Sequence, residues 1–353
     1  MAMMDCEKNN KVLGQIMSSD LCISIVGGRF CSETSRLPVG VRVFNSHELN
    51  TKNNICVEHK KIVANMLSLP NIFIEASGVC KENLNPIYIN YLVSAEPDNE
   101  TLDVSFFIEK NTQISFVEQW CVSDKLHSPL KKVINSRWFI GPGAQLTFFG
   151  LNPSNLCEDS FITNNVFLKQ KNDSDVSFST FYWNSGSVHN NLEALLEDPG
   201  ATCSLNSISL LSNNGCVENN LLIKHLAPNC ESSQLYKGVF NDESHGIFNS
   251  TVFVEKGAQG TLSKQQNNNI LLSDYASISS NPQLEIYADD VSCEHGSTMG
   301  QVDSEAVFYL KSRGLNEKLA NKMLLSAFLN EVVEEITNTK IKHNILLNLN
   351  NLL

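Results

Sequence analysis

The sequence predicts a mainly β chain of many short strands that ends in a helical region. Three observations carry this. Nearly every segment between residues 85 and 300 is a short alternating strand bounded by Gly, Asn, Asp or Pro. A phrase of apolar strand, Gly-Ala turn and alternating strand recurs at FIGPGAQLTFFG, LLEDPGATCSLNS and VFVEKGAQGTLSK, with Gly143, Gly200 and Gly257 equally spaced. Beyond Ser304 the apolar period changes from two to that of a helix. No amphipathic helix separates the strands, which excludes a doubly wound parallel sheet. A β-sandwich and a β-helical solenoid remain. In a solenoid each rung buries its inner face only by stacking on its neighbours, and the repeated Gly-Ala corners favour it.

Taken in order, LCISIVGGRF reads as a strand running into a Gly-Gly turn, and VEHKKIVANMLSL as a helix. FFIEKNTQISFVE and LLSDYASISS are looser copies of the repeated phrase. Asn is abundant, as at Asn213-Asn214 and Asn267-Asn268-Asn269; it suits stacked turns because it tolerates left-handed backbone, and a base-composition bias accounts for it equally well. Near the end, Leu284, Ile286 and Ala288 alternate with Glu285, Tyr287 and Asp289 as in a half-buried strand. A Cys-Glu-His-Gly turn is expected next, with Cys293 and His295 on one side of the chain. Ser304 is the expected N-cap of a helix that stops at Arg313-Gly314. Asn316 would cap a second helix with Leu319, Met323, Phe328, Val332 and Ile336 on one stripe, widened by Ala320, Leu324 and Ala327. The tail from Thr337 is apolar enough to dock.

Composition narrows the function. The chain has 353 residues, 42% of them hydrophobic, and a formal net charge of -12 without a basic run. That balance argues against a nucleic-acid binder, which needs clustered Lys and Arg. MAMMDCEKNNK has no apolar signal core and no later stretch has the length of a membrane span, so a soluble, cytoplasmic protein is expected. Eleven scattered cysteines without a C-x-x-C pair make neither a disulfide framework nor a zinc finger. Phosphate-loop and dinucleotide fingerprints are both missing. Asp289 and Asp290 are adjacent, so in a strand they face opposite sides and cannot share a substrate. No permanently bound cofactor and no enzymatic turnover are expected. A solenoid hydrolase or lyase acting on polysaccharide would need a carboxylate or basic cluster on one face, and none is found.

The block LEIYADDV, C-x-HG-[AS]-T-x-G and FYL-x-SRG, within 281–315, resembles the C-terminal signature of the SufB/SufD family of iron–sulfur cluster assembly proteins. HLAPNCESSQLYKGVFND and AQGTLSKQQNNNILLSD are similar to two upstream stretches of that family, so the resemblance covers roughly the last third of the chain. It lies on the SufD side, because the place of the SufB-type cluster cysteine falls near Leu272 and Ser273. The resemblance implies a parallel, right-handed β-helix-like solenoid over 76–303. A reduced N-terminal segment with a short strand and helix would precede it at 1–75, and a C-terminal helical region would follow at 304–353.

It also implies partners: a SufB-like paralogue across stacked solenoid edges, and a SufC-like ABC-type ATPase that would supply the ATP step. Cluster assembly would take place at the paralogue interface, with His295 as a transient iron ligand or proton relay and Cys293 as a second thiol. Phe308 to Ile336 would dock the ATPase, through Phe308, Tyr309, Leu310, Arg313, Leu319, Met323 and Phe328. Cys230 is expected to be structural, Lys237 and His225 match family positions, and Ser233 and His245 stand where the family tends to have arginine. Whether a flavin binds the complex is left open. The competing reading is a solenoid interaction protein that has lost the cluster role.

Overall fold

A computed structural model describes residues 21–46, 71–78, 85–93, 101–122, 129–152, 157–184 and 186–353. The helix expected at 57–69 lies outside the described residues. The chain alternates between two sheets. Ten strands form the first: β1 (Cys22–Val26), β2 (Arg29–Arg36), β5 (Ile87–Val93), β7 (Gln113–Val122), β9 (Gln145–Leu151), β11 (Asp175–Asn184), β13 (Thr202–Leu211), β15 (Glu231–Phe240), β17 (Thr261–Leu271) and β19 (Val291–Gly300). Nine form the second: β3 (Val41–Asn45), β4 (Ile72–Ala76), β6 (Thr101–Ile108), β8 (Lys131–Ile140), β10 (Phe161–Gln170), β12 (Ser187–Leu196), β14 (Cys216–His225), β16 (His245–Val254) and β18 (Ser277–Ile286).

Every sheet pairing is parallel except β1 with β2 and β3 with β4. This is a parallel β-solenoid of about 7 turns, and the sandwich alternative falls with it. Because β1 pairs with β5 and β4 with β6, the sheets continue without a break at residue 76.

Stacked corners explain much of the Asn and Gly usage. Positions 111, 143, 173, 200, 229 and 260 form one column, filled in turn by Asn, Gly, Asp, Gly, Asn and Gly, all at positive φ. Each donates its backbone N–H to the neighbouring rung, as Gly143 does to Asn172 and Gly200 to Pro228. A Cβ on Gly143 or Gly200 would come within 2.5 Å of the side chain of Asn111 or Asp173, so the two residue kinds interlock. The third counterpart of Gly143 and Gly200 is therefore Gly260. Gly257 sits earlier in a longer corner, and the equal spacing seen in the sequence is a coincidence. Beneath this column Ala144, Ser174, Ala201, Cys230 and Thr261 point inward and are buried, which makes Cys230 a small core residue. A second use of Asn is a ladder across the outer face of the second sheet, Asn135, Asn165, Asn191, Asn220 and Asn249, each amide donating to the one before it at 2.8–3.0 Å.

Three helices follow: α1 (Ser304–Ser312), α2 (Glu317–Glu334) and α3 (Thr339–Leu352). Leu325, Leu329, Val332, Val333 and Ile336 of the α2 segment, with Ile341, Ile345 and Leu349 of α3, cover Phe149, Phe181, Ile208, Leu210 and Val239 on the outer face of the first sheet. Each such fully buried side chain contributes roughly 1.5–3 kcal/mol, ample to hold the helices on the sheet. The first cap differs from expectation: Asp303 caps α1, its Oδ1 accepting from Glu305 N at 2.9 Å, and Ser304 is already helical. Asn316 caps α2 as expected, and Gly314 closes α1 at φ +96°.

Candidate functional site: the open end of the solenoid

Cys293, Glu294, His295 and Gly296 do not make a turn; they lie within β19. The turn comes earlier, where Asp290 accepts from Gly260 N and its own N–H donates to Gln259 Oε1. β19 is the last strand of its sheet and β18 the last of the other, so their outer backbone edges are unpaired among the described residues. In register with β17, Cys293 stands beside Ser263 and His295 beside Gln265, both inward-facing and buried. Cys293 and His295 therefore project on the interior side of the final rung, where no further rung covers them. His295 is exposed. Cys293 packs partly on the core, and burial pushes its thiol above the ordinary value, which lowers its thiolate fraction. Between them Glu294 faces outward, 3.5 Å from Lys264. Tyr275, Ile286, Tyr287 and Met299 add exposed apolar surface at this end, Tyr275 being 77% exposed.

Behind the last rung part of the solenoid interior is polar, beside the apolar Phe248, Val252 and Val254. His225 Nε2 lies 2.8 Å from Ser232 Oγ, which lies 2.9 Å from Ser263 Oγ. Ser250 donates to Gln234 Oε1 at 2.7 Å, Asn269 to Asn267 at 3.0 Å, and both Asn267 and Ser297 of β19 to Ser280 Oγ at 2.8 Å. Burial pushes His225 down to about 4, so its imidazole is neutral at pH 7. These residues were missed as a group by sequence reasoning. The available signal was the run of Ser, Gln and Asn at every second position of strands otherwise built on apolar inward residues.

The residues expected to dock an ATPase divide into two groups. Phe308, Tyr309, Leu319 and Met323 are exposed, Phe308 by 74%, on α1 and the first half of α2. Arg313 is exposed beside them, donating to Tyr309 Oη at 3.1 Å, and Leu310 is half-buried. Phe328 instead packs inward on the sheet-facing core. The stripe expected on α2 is thus split: Leu319 and Met323 face away from the solenoid, and the buried set is Ala320, Leu325, Leu329, Val332 and Val333. Lys237 is not solvated as a strand lysine usually is. It is buried beneath α2, where its Nζ donates to Phe328 O at 2.8 Å, pairs with Glu331, and lies 4.4 Å from the Phe328 ring centroid.

No cluster of three or more His, Cys, Asp or Glu side chains capable of holding a metal occurs among the described residues. Residues 96–328 match the family model for the SUF system FeS cluster assembly, SufBD core domain. The chain belongs to the SufBD core family. Among SufBD relatives, it is 31% identical over 207 residues to the iron–sulfur cluster assembly protein SufD of Escherichia coli K12, covering 59% of this chain and 48% of that protein. A SufBD family protein of Synechocystis sp. PCC 6803 is 26% identical over 260 residues, 71% of this chain and 57% of the relative. The Arabidopsis thaliana chloroplastic protein ABCI7 is 25% identical over 275 residues, 73% and 55%. The chain spans about half the length of these curated relatives. No described helix is long and apolar enough to cross a membrane.

Proposed function

We propose that this SufBD-family chain is a SufD-type scaffold subunit that pairs with a SufB-like paralogue through the open edge at β18 and β19. The observation that carries the reading is the position of His295: exposed, on the unpaired terminal strand, on the side where a partner's rung would stack. Unpaired parallel edges invite strand addition, and a paralogous solenoid presents the matching 4.8 Å repeat. The nascent iron–sulfur cluster is the cargo of that interface. His295 serves it as a ligand or proton relay, while Cys293, with its raised thiol, is a secondary sulfur contact. The exposed face of Phe308, Tyr309, Leu319 and Met323 receives a SufC-like ATPase; Phe328 and Lys237 fix the helix that presents it. The chain has no turnover of its own, and it works as a soluble cytoplasmic protein.

The test is co-expression with the same organism's SufB-like and SufC-like proteins, comparing wild type with His295→Ala. Iron and acid-labile sulfide are measured per purified complex. The reading expects both complexes to form and the variant to lose most of its cluster. Equal iron and sulfide in the two would reduce His295 to a structural residue. Failure of the wild type to co-purify would remove the SufD-type role itself.

A further inference from the structure

One ionisable group on the inner face of the solenoid lies outside the site described above. Glu118 of β7 faces the interior in a column with Gly150, Thr180, Ser207 and Tyr236. Gly150 opens a notch in that column, since a Cβ there would meet the Phe148 ring at 3.2 Å and Thr180 at 3.4 Å. The notch belongs to a partly open cavity of about 50 Å³ lined by the half-buried Glu118, Thr180 and Asn164 and the buried Tyr182 and Asn190 among apolar neighbours. Roughly 10–15 Å³ of such space suffices for one water, so a single ion with a water fits.

Two independent features of the wall point to positive charge. The first is the carboxylate, whose Oε2 accepts from Tyr91 Oη at 3.0 Å and which, among the described residues, has no cationic side chain in the cavity to neutralise it. The second is an inner amide ladder: Asn164 donates to Asn190 Oδ1, and Asn190 to Asn219 Oδ1, each at 2.9 Å. Asn164 is the end of the ladder whose Oδ1 accepts from no other amide of it, and it lines the same cavity together with Asn190 and Asn219. The donors are all oxygens without a thiol or imidazole, which suits a hard cation. One carboxylate balances one positive charge, whereas a dication would be left undercompensated in the low-dielectric interior.

We propose that this cavity binds a monovalent cation, held by the Glu118 carboxylate, the Asn164 carbonyl and the hydroxyls of Thr180 and Tyr182. The bound ion would offset the cost of keeping a carboxylate among aromatic rings. This is independent of the cluster role, because it concerns a rung far along the chain from β19.

The test is thermal unfolding of the full chain at pH 8 and fixed ionic strength, with choline chloride replaced stepwise by KCl and, separately, by NaCl. A ligand that binds only the folded state raises the midpoint with the logarithm of its concentration. The wild type is expected to show that rise with at least one of the two ions, Glu118→Gln to lose it, and Asn164→Ala to weaken it. A wild type indifferent to both ions would mean that the cavity holds water only. An equal rise in Glu118→Gln would place the ion elsewhere. Either result overturns the proposal.

Discussion

The two halves of the solenoid are built from the same rung but filled differently. Toward the N-terminus the interior is aromatic: Phe106 stacks on Trp138 at 3.6 Å, Phe148 on Phe178 at 4.1 Å, and Phe116 meets Trp138 edge-on. Toward the C-terminus the column of Phe116, Phe148 and Phe178 continues as Leu205, Gln234 and Gln265, with Ser232, Ser263 and Asn267 in the neighbouring columns of the same sheet. The Trp138 column of the other sheet stays apolar through Leu168, Ala194, Ile223 and Val252. The ends differ as well. At the first, β2 and β3 reverse direction and are tied together by Asn45, whose amide accepts from Phe30 N at 2.9 Å and donates to Phe30 O at 3.3 Å. At the other end β18 and β19 stay parallel and bare. Aromatic packing supplies stability; a buried polar network costs desolvation and returns less than apolar packing of the same volume. The contrast therefore separates a half that holds the fold from a half arranged around its open rim.

The largest expected effect lies in the aromatic half. Trp138→Ala should cost about 3–5 kcal/mol by leaving a cavity among four rings, read as a shift in denaturant midpoint. Gln265→Leu, in the polar half, should change stability by less than about 1.5 kcal/mol. Comparable losses at the two positions would break the distinction. Next is Lys237→Ala, which removes a charge-assisted bond to the backbone of α2 and a cation–π contact. A loss of about 1.5–3 kcal/mol is expected, with faster proteolysis of residues 317–352 ahead of the solenoid. Uniform proteolysis would mean that the helices are not a separable layer.

A smaller effect depends on pH. Burial raises Glu118 from 4.5 to about 7, so the folded state favours the protonated acid. The fold is then most stable below pH 4.5 with respect to this group and loses stability as pH rises from 4.5 to 7. In choline chloride, Glu118→Gln should raise the thermal midpoint at pH 8 and leave it nearly unchanged at pH 4.5. A pH-independent difference would show that the carboxyl titrates normally.

Much of this architecture was legible in the sequence. Period-two strands and Gly-Ala corners favoured a solenoid over a sandwich, the family resemblance decided between them, and the switch to helical spacing after Ser304 marked the helical region. What escaped is what depends on stacking. Gly257 and Gly260 are indistinguishable until rungs are aligned. The C-E-H-G segment looked like a turn because Gly296 stands in it, yet parallel pairing with β17 holds it extended. Nothing in the sequence around Lys237 signals its burial, because the helix residue Phe328 that covers it lies 91 residues further on. Of the candidate site, His295 and Cys293 were singled out through their motif, while the polar columns behind them became visible only when inward positions from successive rungs were brought together. The two apolar faces of α2 merged into one stripe because Leu319, Met323 and Phe328 follow helical spacing whichever surface each one meets.

The central claim is that the bare rim at β18 and β19 is the working end. Hydrogen exchange of the chain alone and in complex with the SufB-like paralogue tests it most directly. The account predicts new protection of backbone amides in Val291–Gly300 and Ser277–Ile286, with Arg29–Arg36 and Val41–Asn45 unchanged. Protection appearing at β2 and β3, with β19 exchanging as freely as before, would contradict it.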